Sequence, residues 1–275
     1  MNGAQFFRDF FEKEGIELYG FLPLEECKVI RPYLLERCGV TAGSAVVFAV
    51  PYYSPVAETD SRNVSFYAVP RDYHLYFKEL SQRFSEAAKK ELPAAKFGFF
   101  SDHSPIDEVN AAAAAGLGII GRNHLLITEK YSSFVFLGEI VTDLELPSEP
   151  REIGFCENCG ICTSACPVDL SVEDCLSALT QKKGVLTEAE EEKILCHGLV
   201  WGCDRCQTAC PHTQKAIADG TIYSPIEFFA EKCIPILTAD ALESMSDEDF
   251  KDRAYSWRGK ETIMRNLKLF KDGSN

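Results

Sequence analysis

Two cysteine runs constrain what this chain can fold into more than any other feature of its sequence. Successive cysteines are separated by two, two and three residues in the first run and by two and three in the second, and each run ends in Cys-Pro. The cysteines are Cys156, Cys159, Cys162 and Cys166 in the first run and Cys203, Cys206 and Cys210 in the second. This spacing lets a tight loop wrap one corner of an iron–sulfur cube, while the last cysteine reaches a different cube. The sequence therefore predicts two [4Fe–4S] clusters and transfer of single electrons.

Reciprocal pairing of the two runs, as in bacterial ferredoxins, assigns seven of the eight ligands. The first cluster is expected to take Cys156, Cys159, Cys162 and Cys210. The second is expected to take Cys166, Cys203 and Cys206. It then needs one more thiolate, for which Cys175 and Cys196 are the candidates.

The other three cysteines, Cys27, Cys38 and Cys233, lie far from the runs in the sequence. Free cysteine commonly behaves as a small buried apolar residue, and that is the expectation for these three. Structural zinc is the alternative use of the two runs. It is disfavoured because zinc sites usually appear as separate CxxC pairs, in which a Cys-Pro ending serves no purpose.

Composition limits the partners and the location of the chain. Its 275 residues carry a net charge of −14, and nucleic-acid binding requires clustered Lys and Arg, so a broad nucleic-acid surface is not expected. The N-terminus does not resemble a secretory signal, and no stretch is long enough to span a bilayer. We therefore expect no membrane association. Ferredoxin-type cysteine spacing without a signal peptide predicts a cytoplasmic location.

Hydrophobic patterning predicts an α/β domain over residues 1–149. Strands are expected over residues 44–51, 95–100, 124–128 and 134–142. Helices are expected near the N-terminus within residues 1–20, over residues 70–91, and from Pro105 to Gly116. The composition changes at Pro147–Pro150, so we expect a cluster domain over residues 150–217 and a helical C-terminal segment over residues 218–275 that packs back on the first two domains.

Seven segments together form a more specific pattern. They are residues 67–74 (YAVPRDYH), 102–108 (DHSPIDE), 116–123 (GLGIIGRN), 133–139 (SFVFLGE), 175–180 (CLSALT), 202–207 (GCDRCQ) and 257–266 (WRGKETIMRN). In this order they resemble the epoxyqueuosine reductases, the cobalamin-dependent iron–sulfur enzymes that finish the tRNA nucleoside queuosine. The resemblance covers nearly the whole chain. It implies a short relative that lacks the C-terminal helical repeats of typical members.

The resemblance implies a nitroreductase-like fold for the corrinoid-binding domain, shared with reductive dehalogenases, followed by a bacterial-ferredoxin-like double-cluster domain. It also implies that Cys175, which matches a ligand in the family's CISYLT segment, completes the second cluster. Contacts to cobalamin are implied for Arg71, Asp102, Arg122, Asn123, Leu126, Gly138 and Asp204. Glycines allow a backbone to approach a large flat cofactor, and asparagine and arginine can donate to corrin amides.

Asp102 aligns with the family's catalytic proton donor. Removal of oxygen from carbon by low-valent cobalt leaves an alkoxide or carbanion that needs a proton. A carboxylic acid can supply it only if its surroundings raise its pKa. The apolar run Phe97–Phe100 is expected to desolvate Asp102. The alternative for Asp102 is a helix N-cap before Pro105, and the alternative for Arg71 is a local ion pair with Asp72.

The sequence therefore predicts a cobalamin-dependent iron–sulfur reductase that receives electrons from a donor such as ferredoxin or flavodoxin. The alternative is an electron-transfer protein that serves a corrinoid or other redox partner and has no substrate of its own. Asp102 and Glu108 favour the enzyme. The acidic charge predicts weak binding to full tRNA and so argues against the tRNA or queuosine-type substrate that the resemblance implies.

Overall fold

The structure is a computed structural model that describes residues 2–272. The chain divides into two compact units, and each unit is assembled from three stretches of sequence. Unit 1 contains the described residues of Met1–Pro51, Tyr76–Cys159 and Lys215–Pro225, and unit 2 those of Tyr52–Leu75, Gly160–Gln214 and Ile226–Asn275. The domain boundaries expected at residues 149 and 217 remain predictions.

Strands and helices are mixed, as the α/β expectation required. The strands are β1 (Leu18–Pro23), β2 (Ser44–Pro51), β3 (Phe97–Phe100), β4 (Ile119–Ile120), β5 (Leu126–Ile127) and β6 (Val135–Thr142). The helices are α1 (Gly3–Glu14), α2 (Pro32–Cys38), α3 (Tyr73–Glu91), α4 (Glu108–Ala114), α5 (Ile161–Ala165), α6 (Leu176–Thr180), α7 (Glu188–His197), α8 (Arg205–Thr208), α9 (Pro211–Ala218), α10 (Ala239–Ser244), α11 (Asp247–Lys251) and α12 (Lys260–Asp272). The nitroreductase-like and ferredoxin-like descriptions of the two parts remain predictions.

Unit 1 is built on an antiparallel sheet with the strand order β1-β2-β6-β3. Strand β2 is buried along its whole length, which explains why its sequence, SAVVFAVP, lacks polar alternation. Strand β6 lies between β2 and β3, and its Glu139 is opposite Val47 on one side and Phe100 on the other. Directly opposed residues share a face of the sheet. Glu139 therefore projects into the face that also carries Val47 and Phe100.

The other face of this sheet carries an aromatic core. The ring of Phe7 in α1 stacks on that of Phe84 in α3 with centroids 5.7 Å apart, and Phe11 contacts Phe48 of β2 at 5.2 Å. Such ring pairs add stabilisation beyond the area that they bury. The two faces thus differ in composition, because one is closed by stacked aromatic rings and the other holds the carboxyl group of Glu139.

Several element boundaries differ from the sequence-based expectations. Helix α1 ends at Gly15, whose left-handed backbone (φ 68°) terminates the helix and leaves room for β1, a strand that was not predicted. Helix α3 begins at Tyr73 rather than at Pro70. Helix α4 begins at Glu108 and is capped by the Asp107 side chain, which accepts from the backbone N–H of Asn110. Pro105 therefore does not open this helix.

Unit 2 is mainly helical in its described part, and the expected C-terminal helices are present as α10, α11 and α12. Asn266 of α12 is completely buried, and its side-chain amide donates to the carbonyls of Thr180 and Val200. The indole of the fully buried Trp201 donates to the Tyr67 hydroxyl at 2.8 Å. Within residues 2–272, no helix is both long and apolar enough to cross a membrane.

Candidate functional site

The fold brings together three carboxylates of unit 1 that are distant in the sequence. Glu139 lies on β6, Glu108 is the first residue of α4, and Asp102 lies in the loop that follows β3. The negative charge of Asp102 acts on both glutamates, and the two glutamate side chains lie within hydrogen-bonding reach of each other. The 102–108 and 133–139 segments of the family pattern therefore meet at one place.

Glu139 is buried without a conventional partner. Its relative exposure is 0%. Among the described residues, no donor of standard geometry reaches either of its carboxylate oxygens or Oε1 of Glu108. An ionised carboxylate in this position is costly because burial removes its hydration and nothing replaces it. A proton placed between the two carboxyl groups supplies the missing donor.

Burial shifts the proton equilibrium of both glutamates in the same direction. It raises the pKa of Glu108 to about 7, and the charge of Asp102 adds to the effect. Hydrogen bonds from Glu139 and from the Asp102 backbone oppose this shift in the pKa of Glu108, as does the charge of Arg31. Burial also raises the pKa of Glu139 well above its ordinary value, with the charge of Glu108 as the next cause. Both shifts favour retention of a proton by the glutamate pair, with Glu139 as the more deeply buried member.

Asp102 itself does not have the environment that the sequence predicted. Its side chain is exposed, so the Phe97–Phe100 run does not desolvate it. Its backbone is left-handed (φ 61°), a conformation that aspartate tolerates better than most residues. Its backbone N–H donates to the Glu108 carboxylate. The helix N-cap considered for Asp102 is provided by Asp107.

The expectations drawn from the sequence gave no role to Glu139, which lies in the SFVFLGE segment. The sequence did contain a sign of its importance, because Glu139 is the only charged residue in the eight-residue strand VFLGEIVT. A charged side chain inside an otherwise buried strand is rare unless it is paired or functional.

The 116–123 segment is positioned beside the first cysteine run. Strand β4 pairs with the chain before Cys156, since the Ile120 N–H donates to Gly154 and the Cys156 N–H to Ile120. The backbone N–H of Arg122 donates to Cys156 Sγ at 3.2 Å, and the guanidinium of Arg122 donates to Asn158 at 2.9 Å. An N–H aimed at a cysteine sulfur is typical of cluster ligands, whose potentials it tunes.

Asn123 provides an independent test of whether a large polar cofactor fits this region. Its Oδ1 is buried and has no hydrogen-bond partner among the described residues. Buried polar atoms are normally satisfied, so this oxygen is suited to accept from an amide of a bound group. The corrin ring carries such amides on its rim. The residues present therefore fit a corrinoid at Asn123.

Two other predicted cofactor contacts have clear packing roles. Leu126 of β5 is buried in the apolar core of unit 1. Gly138 of β6 faces the aromatic core, where a Cβ atom would overlap the rings of Phe48 and Phe77. The close approach that this glycine permits is therefore that of two aromatic side chains, a reason that the sequence did not reveal. Their contact with a cofactor remains a prediction.

In unit 2, two of the thiols predicted for the second cluster lie close to a third. Burial raises the pKa of Cys203 to about 12, and charges on Asp204, Cys175 and Cys206 act in the same direction. Cys175 and Cys206 are thus both near Cys203. Cys196, by contrast, is exposed on α7. This proximity favours Cys175 as the eighth ligand.

Cys166 also has the surroundings of a ligand. The backbone N–H of Leu170 is directed at Cys166 Sγ with a donor–sulfur distance of 3.4 Å. Leu170 has a left-handed backbone (φ 59°), which is strained for a side chain of its size. Strain of this kind persists where the surrounding structure requires it, and here it aims a donor at the sulfur. Among the described residues, no group of three or more His, Cys, Asp or Glu is arranged to hold a single metal ion.

The two predicted cofactor contacts in unit 2 already have protein partners. Arg71 pairs with Asp252 at 3.3 Å and lies over the ring of Phe228, whereas Asp72 pairs with His74. The Arg71–Asp72 pair, which was the alternative to a cofactor contact, is therefore not among the ion pairs of the described residues. Asp204 is buried and accepts hydrogen bonds from three donors, which are the Arg62 guanidinium, the Ser65 hydroxyl and the Phe66 backbone N–H. A cofactor role for Arg71 or Asp204 remains a prediction.

The three apolar candidates, Cys27, Cys38 and Cys233, each have a local packing or hydrogen-bonding role. Cys27 is buried in the core of unit 1, as expected. The Cys38 thiol donates to the carbonyls of Leu34 and Leu35, and the Cys233 thiol donates to that of Phe229.

The sequence is similar to that of curated proteins of one family. A family model described as "Epoxyqueuosine reductase QueG, DUF1730" matches residues 35–103. Epoxyqueuosine reductase of Gloeobacter violaceus is 33% identical over 219 residues, which are 76% of this chain and 68% of that protein. The Lactococcus garvieae enzyme is 33% identical over 208 residues, which are 71% of this chain but only 57% of that protein.

Solved structures show the same fold. Epoxyqueuosine reductase from Streptococcus thermophilus matches with a TM-score of 0.78 and 22% identity, covering 98% of this chain and 80% of that one. An epoxyqueuosine reductase solved with an epoxyqueuosine-modified tRNA-Tyr stem loop matches with a TM-score of 0.75 and 24% identity, covering 96% of this chain and 80% of that one. Because the sequence identity to the Gloeobacter violaceus relative extends over more than two thirds of its length, this chain belongs to the epoxyqueuosine reductase family.

Proposed function

We propose that this chain is a cobalamin-dependent iron–sulfur reductase that removes the oxygen of an epoxide of the epoxyqueuosine type. The observation that carries the proposal is the carboxyl group cluster of unit 1, where a proton-bearing glutamate pair lies beside Asp102. Reduction of an epoxide to an alkene with release of water consumes two electrons and two protons. A protein that only relayed electrons would not need a positioned acid.

The residues that would hold the cofactors are distributed as follows. Asn123 and Arg122 would bind the corrinoid, with Leu126 and Gly138 nearby in unit 1, and Arg71 and Asp204 remain further candidates. Cys156, Cys159, Cys162 and Cys210 would bind the first cluster, and Cys166, Cys175, Cys203 and Cys206 the second. Bound cobalamin would supply low-valent cobalt that takes oxygen from carbon, with the clusters supplying electrons singly.

Asp102 would act as the general acid that protonates the departing oxygen, with the bound substrate supplying the desolvation that the Phe97–Phe100 run does not. Its exposed carboxyl in a left-handed loop can meet a substrate that arrives from solvent. In the Bacillus subtilis epoxyqueuosine reductase, the loop with the catalytic aspartate has been seen swung out of the active site. A movable loop of this kind accords with the exposure of Asp102.

The proposed substrate is epoxyqueuosine within a tRNA anticodon-type stem loop. A solved relative was crystallised with such a modified stem loop, which supports this choice. The net charge of −14 predicts that affinity depends on local contacts to the nucleoside and not on a broad basic surface. A ferredoxin or flavodoxin would supply the electrons.

The decisive experiment uses the full chain, reconstituted anaerobically with iron and sulfide. Cobalamin is titrated while the visible spectrum is recorded, and turnover is then measured with epoxyqueuosine as nucleoside, stem loop and full tRNA. We expect a spectral change at about one cobalamin per chain and formation of queuosine. Saturating cobalamin without a spectral change would refute the reductase and favour the electron-transfer protein. Binding without turnover of any of the three substrates would refute the substrate assignment.

A further inference from the structure

We infer that Glu139 and Glu108 form a proton store that reloads Asp102, so that this pair supplies the second proton of each turnover. The inference deepens the proposed function and rests on it for the identity of the reaction. Glu139 and Glu108 do not touch the substrate in this account. They act through Asp102, which is the group that meets the reacting oxygen.

The geometry indicates that the two carboxyl groups share a stored proton. Glu139 is inaccessible to solvent, and no donor of standard geometry among the described residues reaches its two oxygens, although the Ser104 hydroxyl lies near enough to favour its ionised form. A proton shared between the glutamates supplies the missing hydrogen bond. The Glu108 end of the pair contacts the Asp102 loop, since the Asp102 backbone N–H donates to the Glu108 carboxylate. The buried end holds the proton and the other end adjoins the exposed acid.

The charges around the Glu139–Glu108 pair favour a state in which the pair retains one proton. Asp102 adds negative charge, and the charge of Arg31, whose guanidinium donates to the Ser104 carbonyl at 2.9 Å, acts favourably on Glu108. The Ser104 side chain favours the ionised form of Glu139. Cys27 is the remaining ionisable neighbour, and burial raises its pKa to about 11, so its thiol is neutral. One cation facing three carboxyl groups favours retention of a proton.

The proton movements balance without another reactant. Asp102 gives its proton to the departing oxygen and becomes a carboxylate. Glu108, protonated by Glu139 through their shared hydrogen bond, then passes a proton to Asp102, which leaves the glutamate pair fully ionised. Solvent restores the pair after product leaves. The store therefore matters while a bound substrate covers the loop and separates Asp102 from bulk water.

The test is an infrared titration of the reconstituted full chain on both sides of pH 7, about the value to which burial raises the pKa of Glu108. The carbonyl stretch of a protonated carboxylic acid reports the store directly and requires neither substrate nor cobalamin. We expect the wild type to show one such band, which weakens as the pH rises. We expect Glu139→Gln to lack this band. In Glu108→Gln, the midpoint of the band should fall, because the charge that raises the pKa of Glu139 is gone.

Glu17→Gln is the matched control. Glu17 also lies in unit 1 and accepts hydrogen bonds from Lys130 and Tyr131, but these partners lower its pKa and it does not titrate in this range. The control should keep the wild-type band. Absence of the band in the wild type would overturn the store, as would an unchanged titration in both Glu139→Gln and Glu108→Gln.

Single-turnover rates across the same pH range separate this inference from the proposed function. The wild type should gain about tenfold as the pH falls through 7, whereas Glu139→Gln should lack this gain and match the wild type at high pH. A titrating band in a protein that reduces no epoxide would refute the proposed function alone. Turnover without a titrating band would refute the proton store alone.

Discussion

Two buried carboxylates, one in each unit, show how differently the same group can be used. Asp204 in unit 2 and Glu139 in unit 1 are 3% and 0% exposed. Asp204 accepts hydrogen bonds from Arg62 at 2.8 Å, Ser65 at 2.5 Å and the Phe66 N–H at 3.0 Å. Glu139 faces another carboxyl group and, within the described residues, receives no hydrogen bond of standard geometry.

The difference lies in the partners and not in the burial. A buried charge that is paired and hydrogen-bonded is fixed in place, whereas a buried carboxyl without donors keeps its proton. Asp204 lies between Cys203 and Cys206 in the sequence, so its bonds to Arg62 and Ser65 tie that ligand loop to a distant segment of unit 2. We interpret the unit 2 carboxylate as a holder of the ligand loop and the unit 1 carboxyl as a participant in chemistry.

The largest expected effect tests whether unit 2 holds the second cluster through Cys175. Cys175→Ala should lower the content from about eight to about four irons per chain and abolish turnover, because the second cluster loses a ligand and the electron path is broken. Iron and sulfide analysis of anaerobically reconstituted protein measures this. Cys196→Ala is the control and should retain about eight irons. The reverse result would show that Cys196 is the ligand.

The chemical role of unit 1 is tested next by Asp102→Asn. We expect turnover to fall about 10²–10⁴-fold, since asparagine cannot donate the proton of a general acid. Iron content and the cobalamin spectrum should not change, because Asp102 is exposed in a loop. A loss of less than about threefold would contradict the role of Asp102 as the acid.

Removing Arg62 should leave the buried Asp204 carboxylate without a cation. Arg62→Ala is expected to reduce the free energy of unfolding by about 3–5 kcal/mol, because a buried carboxylate loses its cation. Urea denaturation under anaerobic conditions measures the change. Lys232→Ala is the control in the same unit, since Lys232 is largely exposed and pairs with Asp252 at 3.3 Å. Its loss should cost less than about 1 kcal/mol. Equal effects would invalidate the comparison.

The pH dependence of stability tests the glutamate pair of unit 1. Folding raises the pKa of Glu108 to about 7, so its contribution is fully present below about pH 4.5 and is lost as the pH rises through about 7, and the raised pKa of Glu139 acts in the same direction. The part of this loss that belongs to Glu108 should not exceed about 3 kcal/mol, because solvent screens part of its side chain. In Glu139→Gln, denaturation midpoints should vary less over this range and be higher than those of the wild type near pH 8. An unchanged profile would argue against a protonated pair.

The smallest expected effect concerns the unpartnered oxygen of Asn123. Asn123→Ala should weaken cobalamin binding by about 1–3 kcal/mol, the value of one or two hydrogen bonds. The spectral titration measures this as a rise of roughly 10–100-fold in Kd. Glu129→Ala, an exposed residue in the next few positions, is the control and should bind as the wild type does. Unaltered binding in Asn123→Ala would place the corrinoid elsewhere.

Much of the local structure was predictable because it depends on neighbours in the sequence. Strand β2 matched the expected residues 44–51, since an apolar run between Gly43 and Pro51 has few alternatives. The start of α4 was missed because Asp107 competes with Pro105 as a helix start, and only packing decides between them. Strand β1 was missed because its residues were included in the N-terminal helix.

The sequence by itself determined the cysteine spacing, the family pattern and the acidic charge, because each is a property of residues close together or of composition. Only the tertiary structure decided which carboxyl group holds a proton. The proton affinity of a carboxyl group depends on its hydration and on the charges near it. Glu139, Glu108 and Asp102 meet through a sheet, a helix and a loop, and Arg62 reaches Asp204 across 142 residues of sequence. Such neighbours exist only after the chain has folded.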